Sequence, residues 1–333
     1  MAYTVTEPES LPTRPLMIDV RALSKAYGAN VVLDNVSLQV LSGTSYALLG
    51  QNGAGKTTLI RILSTLVTAD AGSASVNGSD VAADSGAVRA SISLTGQHAA
   101  VDEMLTGREN LVMMGRLRRL GVRGARRRAD ELIGAFDLAE FAGRTVKGYS
   151  GGMRRRLDLA VSLVAEVPLL FLDEPTTGLD PVSRNQLWNE VRELGARGTT
   201  ILLTTQMLDE ADRLADRIGI LHDGAVAAEG TPDELKERAG GELLDVTFDS
   251  AQTASAAADL LGSAVRGTVT LTASSATVSI GTDGTANAVK DVLDRLALGG
   301  FAARSLSTAR PTLDDVFADL TGTTNTNNKE QAA

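Results

Sequence analysis

The chain reads Gly50-Gln51-Asn52-Gly53-Ala54-Gly55-Lys56-Thr57-Thr58 between an apolar run at 46–49 and a segment with helical spacing of apolar residues. This spacing matches G-x-x-x-x-G-K-[ST], a phosphate-binding loop between a strand and a helix. The glycines let backbone N–H groups face phosphates, and the helix N-terminus favours anions. We expect residues 50–58 to hold a nucleoside triphosphate, with Lys56 on its β- and γ-phosphates and Thr57 on Mg²⁺.

A second apolar run, Leu169 to Leu172, ends in two acidic residues, Asp173 and Glu174. The carboxyl ends of buried strands are where α/β sheets bind their ligands. An acidic pair in isolation is also compatible with a surface turn, but the upstream phosphate loop favours a site. We predict that Asp173 holds Mg²⁺ and that Glu174 polarises the attacking water as a base.

A third motif, Tyr149-Ser150-Gly151-Gly152-Met153, precedes the acidic strand and opens a helix-patterned segment. Here the chain resembles the ATPases of ATP-binding-cassette (ABC) transporters, whose signature is usually Leu-Ser-Gly-Gly-Gln. The resemblance implies that Ser150, Gly151 and Gly152 contact the ATP bound by an opposite subunit, in a homodimer with two ATP molecules at its interface. A hydroxyl, two glycines and a helix N-terminus suit close contact with a γ-phosphate.

The resemblance covers about residues 17–235 and implies further roles in order along the chain. Tyr27, before a glycine, matches the aromatic residue that stacks on adenine. Gln97 matches the glutamine that touches Mg²⁺ and links the site to the transmembrane partner. Asp180, in Gly-Leu-Asp-Pro at 178–181, matches the aspartate of the D-loop, which crosses the dimer interface.

Gln206 departs from the family pattern, which usually has a histidine after the strand that follows the catalytic glutamate. Glutamine donates a hydrogen bond to a γ-phosphate or to water but does not hold a proton as imidazole does. We expect Gln206 to complete the catalytic shell with Glu174 and Gln97. His98 and His222 do not align with this position, and we expect them in a loop and in a hairpin turn.

The pattern of apolar strands and helices predicts an α/β fold of the P-loop ABC type over residues 16–239, with a largely parallel sheet covered on both faces. The stretch 104–142 is expected to be helical throughout, within a helical subdomain at about 104–165. Residues 1–15 are expected to be a disordered or extended lead-in, and residues 322–333 a disordered tail.

Residues 241–320 show a different pattern of apolar residues, with shorter predicted strands and helices. Alternation and helical spacing predict, in order, a strand at 244–248, a helix at 251–262, strands at 269–271 and 278–280, a helix at 289–296, a strand at 301–306 and a closing helix at 311–317. The βαββαβ order predicts a small α+β domain of the ferredoxin-like type, with an assembly or regulatory role.

Composition excludes several classes of site and partner. A net charge of −9 argues against a nucleic-acid partner, which needs a basic field. The chain has no cysteine, so disulfides and thiolate metal sites are excluded, and its two histidines disfavour structural zinc. No apolar run approaches the length that spans a bilayer, and the N-terminus lacks the pattern of a secretory signal.

Three short matches resemble the daunorubicin/doxorubicin-type drug-resistance exporters: the 149–153 motif, Gln206 and the 311–317 segment. In that branch the ATPase is a peripheral subunit on the cytoplasmic side of the cell membrane. It pairs with a separate integral-membrane permease, and its C-terminal extension is implicated in assembly with that permease. We therefore expect ATP and Mg²⁺ as cofactors. The expected partners are two permease copies, a second copy of this chain, and the membrane surface reached through the permease.

The sequence alone does not exclude other functions. A soluble ABC ATPase acting on ribosomes or DNA is disfavoured by the single cassette and the lack of sustained heptads, and Gln206 keeps open a nucleotide-gated binding module that hydrolyses little. Import, or export of another lipid-like compound, also remains open. The arginines between 116 and 128 fit either a solvated helix face or a surface that contacts lipid phosphates or the permease.

Overall fold

The computed structural model describes residues 14–96, 101–238, 242–264, 269–282, 285–309 and 311–321. Contacts divide the chain into two compact units, residues 1–229 and 230–333. Gln97 and His98, most of the predicted lead-in and the predicted tail lie outside the described residues. Within the described ranges, no helix combines the length and the apolar character that a membrane crossing requires.

The first unit alternates strands with helices. Its elements are β1 (Leu16–Tyr27), β2 (Asn30–Leu41), β3 (Ser45–Leu49), α1 (Lys56–Leu63), β4 (Ala71–Val76), β5 (Ser79–Asp80), α2 (Ser85–Ser91), β6 (Ile92–Thr95), α3 (Gly107–Leu117), α4 (Gly121–Ala135), α5 (Gly151–Ser162), β7 (Leu169–Asp173), α6 (Pro181–Ala196), β8 (Thr200–Thr205), α7 (Leu208–Leu214), β9 (Arg217–His222) and β10 (Ala225–Gly230).

The central sheet of this unit has the strand order β10-β9-β3-β8-β7-β6. From β9 to β6 neighbouring strands are parallel, and every residue of β3, β7 and β8 is buried. Strands covered on both faces are apolar along most of their length, which is why these three stand out in the sequence as the runs 46–49, 169–172 and 201–203. The predicted α/β fold is confirmed, and His222 ends β9 at the predicted hairpin turn.

A second sheet, of antiparallel strands in the order β2-β1-β4-β5, shares a hydrophobic core with the central sheet and α1. Strand β2 buries alternate residues from Val36 to Val40, as a sheet with one solvated face does. Helix α1 packs against both sheets through four buried side chains: Leu59, Ile60, Ile62 and Leu63. The start of α1 is therefore fixed by packing on both sheets.

The stretch 104–142 contains two helices with a sharp break between them. Helix α3 starts at a capping box, in which the Thr106 hydroxyl accepts from the Glu109 N–H and the Glu109 carboxylate accepts from the Thr106 N–H. Arg119 and Gly121, with φ of 62° and 69°, reverse the chain before α4. The prediction of a helix throughout is wrong at this turn and beyond the end of α4, because left-handed residues override the apolar spacing.

One carboxyl group in α6 gives a prediction about stability. Burial raises the pKa of Glu190 from 4.5 to about 8; the charge of Arg156 opposes this shift, and Glu193 and Asp137 add to it. The folded chain therefore keeps a proton that the unfolded chain releases above pH 4.5, so stability falls as pH rises through this window up to about 8. Replacing Glu190 by Gln should raise the free energy of unfolding at pH 8.5 by a few kcal/mol, with about 5 kcal/mol as the upper bound that the raised pKa allows.

Urea unfolding at pH 5 and pH 8.5 tests this prediction. The gain should be small at the lower pH, where the carboxyl group is largely protonated in the folded chain. Glu237→Gln, at an exposed glutamate that is not among the charges acting on Glu190, serves as the control and should show no such gain. A gain for Glu190→Gln that is equal at both pH values would contradict the assignment.

The second unit is built from shorter elements. They are α8 (Pro232–Arg238), β11 (Glu242–Thr247), α9 (Ala251–Ala264), β12 (Val269–Thr272), β13 (Thr277–Thr282), α10 (Ala286–Leu298), β14 (Ser305–Ala309) and α11 (Leu313–Thr321). Its sheet has the order β12-β13-β11-β14 with antiparallel neighbours. This is the arrangement of a split βαβ fold, so the predicted ferredoxin-like domain is confirmed.

The core of this unit lies between its sheet and the helices α9 and α10, with Phe248 and Leu261 fully buried. The last strand begins at Ser305, so its predicted position at 301–306 is wrong. Phe301 closes α10 instead, because its N–H donates to the Leu296 carbonyl and its ring packs on the core. An apolar residue that ends a helix reads in the sequence like the start of a strand.

Candidate nucleotide site

Crowding and backbone conformation require the glycines of the loop after β3. Gly53 and Gly55 have φ of 88° and 106°, a region that favours glycine. A methyl group at Gly55 would lie 2.7 Å from the carbonyl oxygen of Val32, and one at Gly50 would lie 2.5 Å from that of Leu221. The loop is therefore held tightly against β2 and β9 and leaves no room there for side chains.

Lys56, the first residue of α1, is buried within this loop. Its Nζ donates to the carbonyl oxygens of Gly50 at 2.8 Å and Gln51 at 3.0 Å, and lies 3.5 Å from Oε1 of Glu174. Burial lowers the pKa of the Lys56 ammonium, and the carboxylates of Glu174 and Asp173 act in the opposite direction. The lysine thus brings a positive charge to the point where the loop and β7 meet.

Asp173 ends β7 beside the start of α1. Its Oδ1 accepts hydrogen bonds from the hydroxyls of Thr57 at 3.1 Å and Thr204 at 2.6 Å. One carboxylate and one hydroxyl are the hard oxygen ligands that Mg²⁺ prefers when it also binds phosphate oxygens and water. Among the described residues, no cluster of three or more His, Cys, Asp or Glu side chains forms a protein-only metal cage. The pair formed by Thr57 and Asp173 therefore fits a Mg²⁺ ion shared with a nucleotide.

Glu174 follows Asp173 in a left-handed backbone conformation, with φ of 48°. Its N–H donates to both the carbonyl and the hydroxyl oxygen of Thr204, each at 3.1 Å. Its carboxylate accepts from the Thr177 hydroxyl at 3.3 Å and faces Lys56. A non-glycine residue keeps such a conformation only where its surroundings fix it, and Thr204 of β8 orients both acidic residues here.

The serine-glycine-glycine motif opens α5. The Ser150 hydroxyl caps this helix by accepting from the Met153 N–H at 3.3 Å. A methyl group at Gly152 would lie 2.9 Å from Cβ of Ser183, in the first turn of α6. Asp180 caps α6, and hydrogen bonds from Ser183 lower the pKa of its carboxyl group. The motif and the D-loop segment are therefore packed against each other without room for a side chain at 152.

Two other predicted residues, Tyr27 and Gln206, lie at or next to the end of a strand. Tyr27 ends β1 with 48% of its surface exposed, and Nζ of Lys25 lies 5.4 Å from its ring centre. Gln206 directly follows β8 and is exposed, as is Gly151. Gln97 lies outside the described residues, just after β6. The structure thus brings together four predicted side chains at the ends of two strands: Lys56, Thr57, Asp173 and Glu174.

Comparisons with known proteins agree with this geometry. The family model described as ABC transporter matches residues 33–177. A daunorubicin resistance ATP-binding protein of Streptomyces coeruleorubidus is 51% identical over 305 residues, which cover 92% of this chain and 96% of that protein. The chain belongs to the ABC transporter ATPases of the daunorubicin-resistance group. A daunorubicin/doxorubicin resistance ATP-binding protein of Streptomyces peucetius is 48% identical and is covered over 93% of both chains.

Solved structures extend the likeness of this ABC ATPase to three dimensions. An ATP-binding subunit of an ABC transporter is 32% identical, with a TM-score of 0.60 over 67% of this chain and 92% of that one. A dimeric post-hydrolysis ATP-binding cassette bound to ADP and Pi shares the fold, with a TM-score of 0.59 and 24% identity over 65% of this chain and 98% of that one. As a member of the ABC transporter ATPases, the chain is an ATP-binding ATP hydrolase.

Arg155 is a residue of this ABC ATPase that the sequence analysis missed. Its guanidinium, 12% exposed, reaches from α5 to the carbonyl oxygens of Pro175 at 2.6 Å and Gly96 at 2.8 Å. It also lies 3.4 Å from the carbonyl oxygens of Asp173 and Glu174. Three consecutive arginines at 154–156 look alike in the sequence, and only the phase of the folded helix selects the one that reaches the carbonyl oxygens after β7.

Glu210 of α7 is a second residue that the sequence did not reveal. It is 1% exposed and accepts from the Thr176 hydroxyl at 2.8 Å and from Nε1 of Trp188 at 2.9 Å. The guanidinium groups of Arg184 and Arg213 lie over the Trp188 ring, at 5.4 and 5.0 Å from its centre. Glu210 thus joins the loop after Glu174 to α6 and to the segment that begins with Gln206.

Proposed function

We propose that this ABC ATPase drives the efflux of hydrophobic drugs or antibiotics through a separate membrane permease. The observation that carries the catalytic part is the convergence of Lys56, Thr57, Asp173 and Glu174 at the ends of β3 and β7. The names of relatives up to 51% identical along nearly their whole length support the drug-export part. Export of another lipid-like compound is the alternative within the same class.

In the hydrolysis of ATP, each residue is proposed to act by position and charge. Residues 50–58 cradle the phosphates, with Lys56 on the β- and γ-phosphates and Tyr27 against the adenine. Thr57 and Asp173 would hold Mg²⁺, which would offset phosphate charge, and Gln97 is expected to complete its shell. Glu174 orients the attacking water and accepts its proton, and Gln206 donates a hydrogen bond to the γ-phosphate or the water.

The proposed active form is a homodimer in which each ATP lies between the phosphate loop of one copy and Ser150, Gly151 and Gly152 of the other. A cap at Ser150 and an exposed Gly151 leave this helix N-terminus accessible to a phosphate of the facing copy. Asp180 lies beside it and is proposed to cross the same interface. A solved cassette of the same fold, itself a dimer, supports this form.

ATP-dependent dimerisation tests the shared site. The Glu174→Gln chain should form a dimer with ATP, because it binds but turns over little. Adding Ser150→Ala should abolish this dimer in light scattering and leave the binding of ATP to the monomer unchanged. Ser162→Ala, at the other end of α5, is the control. A dimer that persists with Ser150→Ala, or the lack of any dimer of Glu174→Gln, contradicts the proposal.

We further propose that the chain is peripheral to the cytoplasmic face of the cell membrane, held by two copies of the permease. Closure of the dimer on ATP and its opening after hydrolysis would switch the permease between inward- and outward-facing states. The 241–320 domain is proposed to serve in assembly or regulation, and relatives named for drug resistance match this chain over more than nine-tenths of their own length. Nucleic acid is not among the proposed partners.

The deciding experiment measures ATPase activity of the chain alone and with the permease in lipid vesicles, with and without daunorubicin. Activity that needs Glu174 and rises with permease and drug supports the drug exporter. Activity that needs Glu174 but ignores the permease would move the assignment to a soluble ABC function. No activity in either setting would favour a nucleotide-gated binding module, for which Gln206 is the one favourable observation.

A further inference from the structure

The turn between α3 and α4 carries a concentration of positive charge on a chain that is acidic as a whole. Seven arginines lie within the 13 residues from Arg116 to Arg128, and no acidic residue occurs between Asn110 and Ala129, whereas the net charge of the chain is −9. We call the exposed part of this segment the arginine corner. It comprises Arg116, Leu117, Arg118, Arg119, Leu120, Val122, Arg123, Arg126 and Arg127.

The charges of the arginine corner are largely uncompensated within the described part of the chain. Arg127 lies 3.6 Å from Glu131, on the same helix. For the other five arginines of the corner, no carboxylate of the described residues lies within 4 Å. A structural salt-bridge network therefore does not explain why these arginines are gathered here, and their field is directed to solvent.

Exposed apolar side chains lie among these charges. Leu117 is 68% exposed, Leu120 39% and Val122 53%. They lie at or beside the turn, where Arg119 and Gly121 take left-handed conformations and connect the end of α3 to the start of α4. Aliphatic tips surrounded by arginines suit a surface that is anionic at its face and apolar beneath it.

We propose that the arginine corner binds the anionic headgroups of a lipid bilayer directly. A segment with four to eight basic residues is the recognised size for attraction to an anionic membrane, and the apolar residues at the tip add a favourable contact with the acyl boundary. The exposed aliphatic side chains among the arginines fit a bilayer, which is anionic at its surface and apolar beneath, better than they fit an acidic peptide. This contact adds to the proposed attachment through the permease and does not depend on drug export.

Co-sedimentation of the full-length chain with vesicles tests the proposal. Vesicles containing phosphatidylglycerol should bind the chain more strongly than vesicles of phosphatidylcholine alone, and binding should weaken as salt screens the charges. The triple variant Arg119→Gln/Arg123→Gln/Arg126→Gln should lose at least about tenfold in partition onto the anionic vesicles, since each arginine contributes a factor of about five. Leu117→Asn/Val122→Asn should weaken binding at every salt concentration.

The control variant is Arg192→Gln/Arg197→Gln/Arg304→Gln, which removes the same charge from exposed arginines elsewhere. Equal loss in both triple variants, or equal binding to the two kinds of vesicle, would overturn the proposal. Binding that occurs only when the permease is present, whatever the lipid charge, would assign the corner to a protein partner and overturn it as well. ATP turnover in solution should be unchanged in the corner variant, which separates this test from that of the proposed ATPase mechanism.

Discussion

Replacing Glu174 by Gln is expected to lower the rate of ATP hydrolysis by about 100- to 10,000-fold, the usual contribution of a positioned base. Gln has the same shape and keeps an oxygen that accepts from the Thr177 hydroxyl, as the carboxylate does at 3.3 Å. It does not take a proton from water. The backbone bonds from the Glu174 N–H to Thr204 are untouched, so the loop geometry should persist.

Steady-state hydrolysis and nucleotide titration, made on the same preparation, check this expectation. ATP should still bind, because Lys56 and Thr57 are unchanged. Glu193→Gln, an exposed change of the same type, should leave turnover at the wild-type level. Turnover within a few-fold of wild type in Glu174→Gln would remove Glu174 from the role of base and leave water activation to another group.

The second large effect is expected at Arg155, which we assign as a positioning residue. Its guanidinium holds the carbonyl oxygens of Asp173, Glu174 and Pro175. Arg155→Met removes these donors, so the two carboxylates lose part of the support that fixes their direction. A displacement of about 1 Å at a reacting group costs about 100-fold in rate, and we expect a loss of kcat of that order.

The affinity for ATP should change little in Arg155→Met, because Arg155 bonds to no residue of the loop 50–57. This split between kcat and binding distinguishes positioning from general loss of structure, provided that both are measured well below the unfolding temperature. Arg155→Lys should regain part of the rate, since one donor and the charge beside Asp158 remain. Arg154→Met is the matched control, because its partner is Glu103 on the surface. Equal losses of kcat and affinity would contradict the assignment.

The parts of the site that the sequence predicts are those whose signal is local. The phosphate loop needs left-handed glycines next to a buried strand and a helix, so Gly55 and Lys56 are recognisable within eight residues. The apolar run at 169–172 likewise predicts that the acidic pair at 173–174 lies at the end of a buried strand. The three strands buried on both faces could be read for the same reason.

The sequence does not predict the role of a residue when that role depends on contacts with residues far away in the chain. Arg155 acts through the carbonyls of Pro175 and Gly96, which are 20 and 59 residues away in the chain. Glu210 is buried against Trp188, and nothing in its own neighbourhood marks it as different from any helical glutamate. The sequence does not predict the turn at Arg119, because the helical spacing of apolar residues continues through it although the helix itself is interrupted there.

The ion pair between Lys56 and Glu174 has a consequence for affinity. At 3.5 Å the lysine serves as counter-ion to the carboxylate, so a phosphate that approaches the loop competes with Glu174 for the same ammonium. The binding constant for ATP therefore includes the free energy of separating that pair, and a triphosphate, with more charge than a diphosphate, competes better. A neutral side chain at 174 removes this competitor. The Glu174→Gln chain should therefore bind ATP more tightly than the chain that hydrolyses it fast.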